Sequence, residues 1–118
     1  MDLERELKRR TRQFALDVIR FVQSLPRDMP TEIIVRQLVR SATSIGANYR
    51  AACKARSKAD FISKLAIAEE EADETQYWIE LLGGLHQAYE QRLMKLHDEA
   101  SQLTAILTSS GRTAKLNR

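Results

Sequence analysis

The residues best suited to chemistry in this 118-residue sequence are an acidic run and two histidines. The acidic run lies between Glu69 and Glu74, and the histidines are His86 and His97. A di-iron site in a helical bundle needs a Glu-x-x-His motif on two helices and a glutamate from each of the other two. The sequence has no Glu-x-x-His motif, and neither histidine lies in the acidic run. We therefore predict no metal and no cofactor, with His86 in a loop and His97 on the surface of the last helix.

The candidate nucleophiles lack the surroundings that would activate them. Cys53 lies on an apolar stripe with no histidine nearby in the sequence, which is typical of an inert core thiol. Ser41 and Ser44 have neither a sharp glycine-flanked turn nor a neighbouring base. The sequence thus predicts that the protein is not an enzyme.

Composition predicts a single helical domain in a reducing compartment. The chain has only four glycines and two prolines, and 30% of its residues are charged, as is typical of helical proteins. A single cysteine excludes an intrachain disulfide. No apolar run approaches the ~20 residues of a membrane span, and the first ten residues are charged rather than signal-like. We expect a cytoplasmic protein with no membrane partner.

Four cations form a basic ridge on the predicted second helix: Arg36, Arg40, Arg50 and Lys54. At 100° per residue they fall within an arc of roughly 80°. The ridge could be a solvated face, a surface that pairs with the acidic helix of a neighbouring subunit, or a surface that binds phosphates. Aromatic residues do not alternate with these cations, which disfavours sequence-specific recognition of RNA.

The charge balance favours pairing between subunits. Residues 31–58 carry a net charge of +5 and residues 60–82 carry −6. A head-to-tail ring can therefore bring the basic ridge of one subunit near the acidic helix of the next, which sets orientation more than affinity. The overall charge of +3 gives little support to nucleic acid, because residues 111–118 hold three basic residues and no acid and the remaining body is neutral.

A polar seam on the core side of the second helix is the next candidate site. Ser41, Ser44 and Asn48 lie beside the apolar positions there, and an unsatisfied buried polar group costs ~1–3 kcal/mol. We expect carboxylates or backbone groups of the third helix to bond with them, with Glu74 as the first candidate. The polar seam then either fixes the register of the helices or lines a ligand pocket.

The third helix also carries apolar residues opposite its core positions, namely Ile67, Trp78 and Leu81. A single chain is expected to expose Trp78 among carboxylates with nothing to bury it. We therefore predict a homo-oligomer in which the second and third helices form the interface.

Four amphipathic segments must position these residues. Apolar residues recur at spacings of three and four, which predicts helices over residues 3–25, 32–56, 58–82 and 87–109. Thr31 and Ser57 occupy N-cap positions, and Gly83-Gly84 is expected to end the third helix. The predicted fold is all-α: an up-and-down antiparallel four-helix bundle over residues 1–110, followed by a basic, disordered tail over residues 111–118.

The sequence resembles a bacterial family, the four-helix bundle proteins related to those encoded in 23S ribosomal RNA intervening sequences. The resemblance covers residues 14–108 and is carried by two stretches, RQLVRSATSIGANYRAACKARSKADFISKL and AIAEEEADETQYWIELL. The positions that follow the family pattern are Gln37, Arg40-Ser41, Ser44, Asn48, Phe61, Lys64, Glu74 and Trp78. The chain departs from some relatives at Glu70-Glu71, where they carry Gly-Ser. The resemblance implies an up-and-down bundle, a homopentameric ring and no established enzymatic activity.

The same resemblance leaves two functions open. A related accessory protein of diversity-generating retroelements forms a basic pentameric barrel that binds nucleic acid and a reverse transcriptase. We expect a non-enzymatic, ring-forming protein that serves as a scaffold or a weak nucleic-acid binder. The alternative, by analogy, is a dedicated nucleic-acid-binding or polymerase-accessory subunit.

Overall fold

The computed structural model describes residues 2–117, which form four long helices joined by short connections. The helices are α1 (Asp2–Val22), α2 (Met29–Cys53), α3 (Lys58–Leu85) and α4 (Glu90–Leu116), with one 3₁₀ turn at Gln87–Tyr89. The bundle measures 49 × 22 × 19 Å, and successive helices run antiparallel. The predicted all-α bundle is confirmed. No helix within residues 2–117 is long and apolar enough to cross a membrane.

The core is a stack of side chains from the inward stripe of each helix. These side chains recur at intervals of three and four residues, so each helix turns one apolar side towards the bundle axis. Burying a large apolar side chain contributes about 1.5–3 kcal/mol. The largest fully buried members are Leu7, Phe14, Val18, Leu38, Ile45, Leu65, Ile79, Leu82, Leu103 and Leu107.

The beginning of α2 corrects the prediction that Thr31 is the N-cap. Asp28 has an extended backbone and its Oδ1 accepts a hydrogen bond from the Thr31 backbone N–H at 2.9 Å. Pro30 lies in the first turn, where its missing N–H costs nothing. Thr31 is instead fully buried, and its hydroxyl contacts His86 Nε2 at 2.7 Å. Ser57 does cap α3, since its hydroxyl accepts from the Asp60 backbone N–H at 3.0 Å.

The ends of α3 and α4 lie beyond their predicted positions. The third helix continues through Gly83 and Gly84 to Leu85, because neither glycine adopts the positive φ that would end a helix there. The fourth helix continues past Gly111 to Leu116, so the predicted tail is helical up to that residue. Arg118, the last basic residue of that tail, lies outside the described residues.

Candidate functional site

The outer stripe of α2 contains the predicted basic ridge. Exposed residues recur at three- and four-residue intervals along this helix, and all four cations of the basic ridge are among them. The complete stripe is Ile33, Arg36, Arg40, Thr43, Ala47, Arg50 and Lys54. Two pairs of cations are therefore separated by the smaller exposed residues Thr43 and Ala47.

The two halves of the basic ridge differ in their partners. Arg36 Nε lies 3.6 Å from Glu32 Oε2 in its own helix, and Arg40 Nη2 lies 3.3 Å from Glu74 Oε2 in α3. Arg50 and Lys54 form no ion pair with any residue in 2–117. The C-terminal half of the basic ridge thus presents two cations whose charges are not neutralised by any residue in 2–117.

The outer stripe of α3 is acidic and lies beside the basic ridge, because α2 and α3 are antiparallel neighbours. Its exposed residues are Ser63, Ala66, Ile67, Glu70, Asp73, Tyr77, Glu80 and Gly84. Glu70 and Asp73 form no ion pair within the described chain, whereas Glu80 Oε2 contacts His97 Nε2 at 2.8 Å. We call the two outer stripes together the α2–α3 face. It carries opposite charges side by side.

The apolar part of the α2–α3 face differs from the prediction. Trp78 is half-buried, packs against the core and donates its indole N–H to Glu74 Oε2 at 2.9 Å. The expectation that a single chain leaves Trp78 uncovered is therefore wrong. Leu81 is also half-buried, and only Ile67, at 41% exposure, is open to a partner among the three predicted interface residues.

Two exposed apolar residues extend the α2–α3 face and were not predicted as interface residues. Ile33 is 54% exposed and Tyr77 is 53% exposed. The Tyr77 ring packs edge-on against Trp78, with 5.1 Å between the ring centroids. The spacing of Asp73, Tyr77 and Glu80 places this tyrosine on the outer stripe, so its exposure could have been predicted from the sequence.

The polar seam is satisfied by partners other than those predicted. Ser41 is fully buried, and its Oγ lies 2.9 Å from Thr75 Oγ1 in α3 and 3.2 Å from the Leu38 carbonyl oxygen. Asn48 is half-buried, and its Nδ2 donates to the carbonyl and hydroxyl oxygens of Ser44, each at 2.9 Å. Glu74 bonds with neither Ser41 nor Asn48 and accepts from Arg40 and Trp78 instead. The seam therefore joins helices through hydroxyl groups rather than a carboxylate.

Glu71, a residue of the acidic run, is half-buried beside the α2–α3 contact. Its Oε1 is inaccessible to solvent and has no hydrogen-bond partner among the described residues. Burial raises the pKa of the Glu71 carboxyl and the nearby Glu74 raises it further, while Arg40 acts in the opposite direction. The ionised Glu71 carboxylate thus slightly destabilises the fold beside the Arg40–Glu74 pair.

The remaining chemistry-bearing residues, His86, His97 and Cys53, lie on different parts of the bundle. Within residues 2–117, no three His, Cys, Asp or Glu side chains are arranged to hold a metal ion. His86 caps the end of α3 and His97 lies on α4 next to Glu80. Cys53 is half-buried at the end of α2. Burial raises the pKa of the Tyr49 phenol, and the adjacent Cys53 thiol adds to this effect.

Comparison with known proteins identifies related chains. The family described as 23S rRNA-intervening sequence protein matches residues 4–109. A crystal structure of a protein of unknown function from the S23 ribosomal protein family of Bacteroides thetaiotaomicron is 33% identical in sequence and superimposes with a TM-score of 0.84. The match covers 92% of this chain and 97% of that one. Among curated proteins, none is significantly similar to this chain.

Proposed function

Because this chain belongs to the 23S rRNA-intervening sequence protein family, we propose that it is a non-enzymatic scaffold that assembles with itself through the α2–α3 face. The observation that carries this proposal is the juxtaposition of an exposed basic stripe and an exposed acidic stripe on neighbouring helices. Arg50 and Lys54 on one side, and Glu70 and Asp73 on the other, have no ion-pair partner within residues 2–117. A second copy of the chain supplies both sets of partners.

We propose that the subunits assemble head to tail into a closed ring, as the family resemblance implies. In a head-to-tail contact, the α2 stripe of one subunit meets the α3 stripe of the next, and every subunit uses both stripes. A two-fold contact centred on either stripe would oppose like charges, whereas one centred between the two stripes would pair opposite charges, so the oligomeric state distinguishes a ring from a dimer. We propose five subunits per ring, the number that the family resemblance implies.

Apolar contacts supply the affinity of this proposed interface and the charges supply its orientation. Exposed ion pairs contribute only ~0–1 kcal/mol each, whereas burying apolar surface contributes roughly 25 cal/mol per Å². Ile33, Ile67 and Tyr77 are the exposed apolar residues available on the α2–α3 face. Trp78 lies beneath Tyr77 and supports it, rather than acting as a free anchor.

Reversal of both charge stripes tests the proposal. The α2 variant combines Arg36→Glu with Arg50→Glu, and the α3 variant combines Glu70→Arg with Asp73→Arg. Each pair of changes should dissociate the assembly while far-UV circular dichroism stays unchanged, because all four side chains are exposed. The chain that carries all four changes should reassemble, since complementary stripes then meet again. Failure of the fourfold variant to reassemble, or persistence of the ring in both partial variants, would contradict charge-guided assembly.

A second candidate function is supported by the unpaired C-terminal half of the basic ridge. Arg50 and Lys54 are free to bind phosphates, and a ring would repeat them around one opening. This would make the chain a nucleic-acid-binding or polymerase-accessory subunit. Filter binding of a single-stranded RNA oligonucleotide at several salt concentrations distinguishes the two functions. If Arg50→Glu with Lys54→Glu leaves the assembly intact and abolishes a steeply salt-dependent affinity, the second function replaces the first.

A further inference from the structure

One end of the bundle concentrates the positive charge of the molecule. At this end, α1 and α3 begin and α2 and α4 finish, which brings residues 2–9, 50–64 and 108–117 together. These segments contain ten basic and four acidic residues, a net charge of +6. The segments at the opposite end, 17–36 and 76–98, contain five basic and six acidic residues. We call the first of these the basic end.

The positive charge of the basic end is not cancelled locally. Three of its four acids are already paired with a cation of their own helix: Glu4 with Lys8, Glu6 with Arg9 and Asp60 with Lys64. Seven further cations form no ion pair with any residue in 2–117: Arg5, Arg50, Lys54, Arg56, Lys58, Arg112 and Lys115. An anionic partner would therefore meet free cations.

An open apolar groove of about 590 Å³ lies in the basic end. All four helices contribute to its lining, which includes Leu3, Tyr49, Ala52, Cys53, Phe61 and Ala114. Leu3, at the start of α1, is 55% exposed. The groove is next to the α2–α3 connection, where Arg56 and Lys58 lie between the lining residues Ala55 and Phe61.

We propose that this groove binds an acidic peptide segment of a partner protein, with an apolar side chain of the peptide in the groove and its carboxylates against Arg56 and Lys58. A peptide of this kind accounts for both properties of the surface. The apolar lining binds the anchor, at ~0.8 kcal/mol per buried methylene, and the cations bind the flanking acids. The site lies at the end of the bundle and its key cations are outside the α2–α3 face, so it does not depend on ring assembly.

The lining favours a peptide over a single-stranded nucleic acid. Bases bind by stacking on exposed aromatic faces, but Tyr49 is only 5% exposed and Phe61 packs against the core. Apart from these two rings, the lining combines aliphatic or small residues with polar ones, including Asn117 and the Glu4 carboxylate, which is already paired with Lys8. A sugar-phosphate backbone has no group that would fill such a groove, whereas a leucine or phenylalanine side chain would.

Selection from a random dodecapeptide library displayed on phage tests this proposal. The bait is the full chain, and the control bait is the variant Arg56→Glu with Lys58→Glu. Arg56 and Lys58 are both exposed. Replacing them with Glu places acids at the beginning of α3, where the helix dipole favours negative charge, so the variant should remain folded. A matched variant, Arg20→Glu with Lys95→Glu, reverses two exposed cations away from the basic end.

The expected result is enrichment of peptides that combine several Asp or Glu residues with one large apolar residue. Binding of an enriched peptide should weaken about tenfold or more in the Arg56→Glu/Lys58→Glu variant and when its apolar residue becomes Ala. It should be unchanged in the Arg20→Glu/Lys95→Glu variant. Ala114→Trp, which fills the groove, should also abolish binding.

Three results would overturn the proposal. The first is selection without enrichment, or enrichment of peptides that are not acidic. The second is an enriched acidic peptide that binds equally well after its apolar residue is replaced. The third is preferential binding of a dodecameric single-stranded RNA or of phosphatidylglycerol vesicles in a manner that Arg56→Glu/Lys58→Glu abolishes, which would assign the basic end to phosphates. If the wild-type chain is monomeric in solution but binds an acidic peptide as predicted, only the assembly proposal is contradicted.

Discussion

Gly46 of α2 lies so close to Thr11 of α1 that a Cβ atom on residue 46 would stand 2.9 Å from Thr11 Oγ1 and 3.2 Å from Thr11 Cβ. Thr11 is fully buried and donates its hydroxyl to the Leu7 carbonyl oxygen at 2.8 Å. Its branched side chain cannot move aside cheaply. Gly46 is thus a position at which α1 and α2 approach each other closely.

We expect Gly46→Ala to destabilise the bundle by about 1–3 kcal/mol, because overpacking at the helix crossing outweighs the ~1 kcal/mol gained from the helix propensity of Ala. Urea unfolding followed by circular dichroism provides the measurement. Gly84→Ala is the matched control, since a Cβ there meets nothing within 4 Å, and it should stabilise the protein by roughly 0.5–1 kcal/mol. Thr11→Ala should relieve part of the Gly46→Ala penalty; an additive double variant would contradict the proposed contact.

The buried hydroxyl pair of Ser41 and Thr75 should contribute to the register of α2 against α3. Thr75→Val keeps the shape of the side chain but removes its hydrogen bonds to Ser41 and to the Glu71 carbonyl oxygen, so we expect a loss of about 1–2 kcal/mol. The double variant Ser41→Ala/Thr75→Val should lose less free energy of unfolding than the sum of the losses of the two single variants. The difference, which is the coupling energy of the pair, should be roughly 0.5–1.5 kcal/mol.

Thr43→Val is the control for the hydroxyl pair. Thr43 also donates to a carbonyl of its own helix, Val39, at 2.8 Å, but it is exposed. Removal of the Thr43 hydroxyl should change the free energy of unfolding by less than about 0.5 kcal/mol. Equal losses for Thr43→Val and Thr75→Val would show that burial between α2 and α3 plays no part.

The cap of α2 predicts a dependence of stability on pH. The backbone N–H of Thr31 bonds to the Asp28 carboxylate and lowers its pKa below the ordinary value of 3.8. A lowered pKa means that the stabilisation is complete above the unfolded value and is lost as pH falls through the folded value. Between pH 5 and pH 2, the melting temperature of Asp28→Asn should fall less than that of wild type, because the asparagine still caps the helix but does not titrate. Asp28→Ala should melt a few degrees lower at pH 7; identical melts for all three would contradict the cap.

Glu71 should have the opposite dependence on pH. Its pKa is raised above the ordinary value of 4.5, so its ionisation opposes folding as pH rises above that value. Glu71→Gln should stabilise the protein modestly at pH 7, because solvent screens much of the effect, and should be neutral at pH 3. Glu70→Gln, at an exposed neighbouring position, is the control. Stabilisation by Glu71→Gln that persists at pH 3 would contradict an electrostatic cause.

The helices and the core could be predicted because each stripe repeats at the period of a helix. Phe14, Val18, Leu38 and Leu103 lie at positions with this period, and all are buried. Helix ends were less predictable because they depend on single backbone groups. Asp28 lies between the helices predicted over residues 3–25 and 32–56, and its capping bond depends on the backbone angles at this residue, which the sequence pattern does not give.

The pairing of polar side chains was the least predictable feature. Glu74 was the natural candidate for Ser41 because both lie near the α2–α3 contact, but the register places Thr75 opposite Ser41 and turns Glu74 outward to Arg40. One residue along a helix corresponds to a rotation of 100°, which is enough to exchange a buried partner for an exposed one. The same sensitivity explains why Trp78 packs onto its own core while its neighbour Tyr77 faces out.

Multi-angle light scattering of the chain at micromolar concentration tests the assembly proposal most directly. The measurement compares wild type with Ile67→Glu, which places a charge in the apolar part of the α2–α3 face, and with Met94→Glu, at an exposed position on α4 outside that face. We predict a pentamer for wild type and for Met94→Glu, and a folded monomer of 13.5 kDa for Ile67→Glu. A monomeric wild type, or an assembly that Met94→Glu disrupts and Ile67→Glu does not, would contradict assembly through α2 and α3.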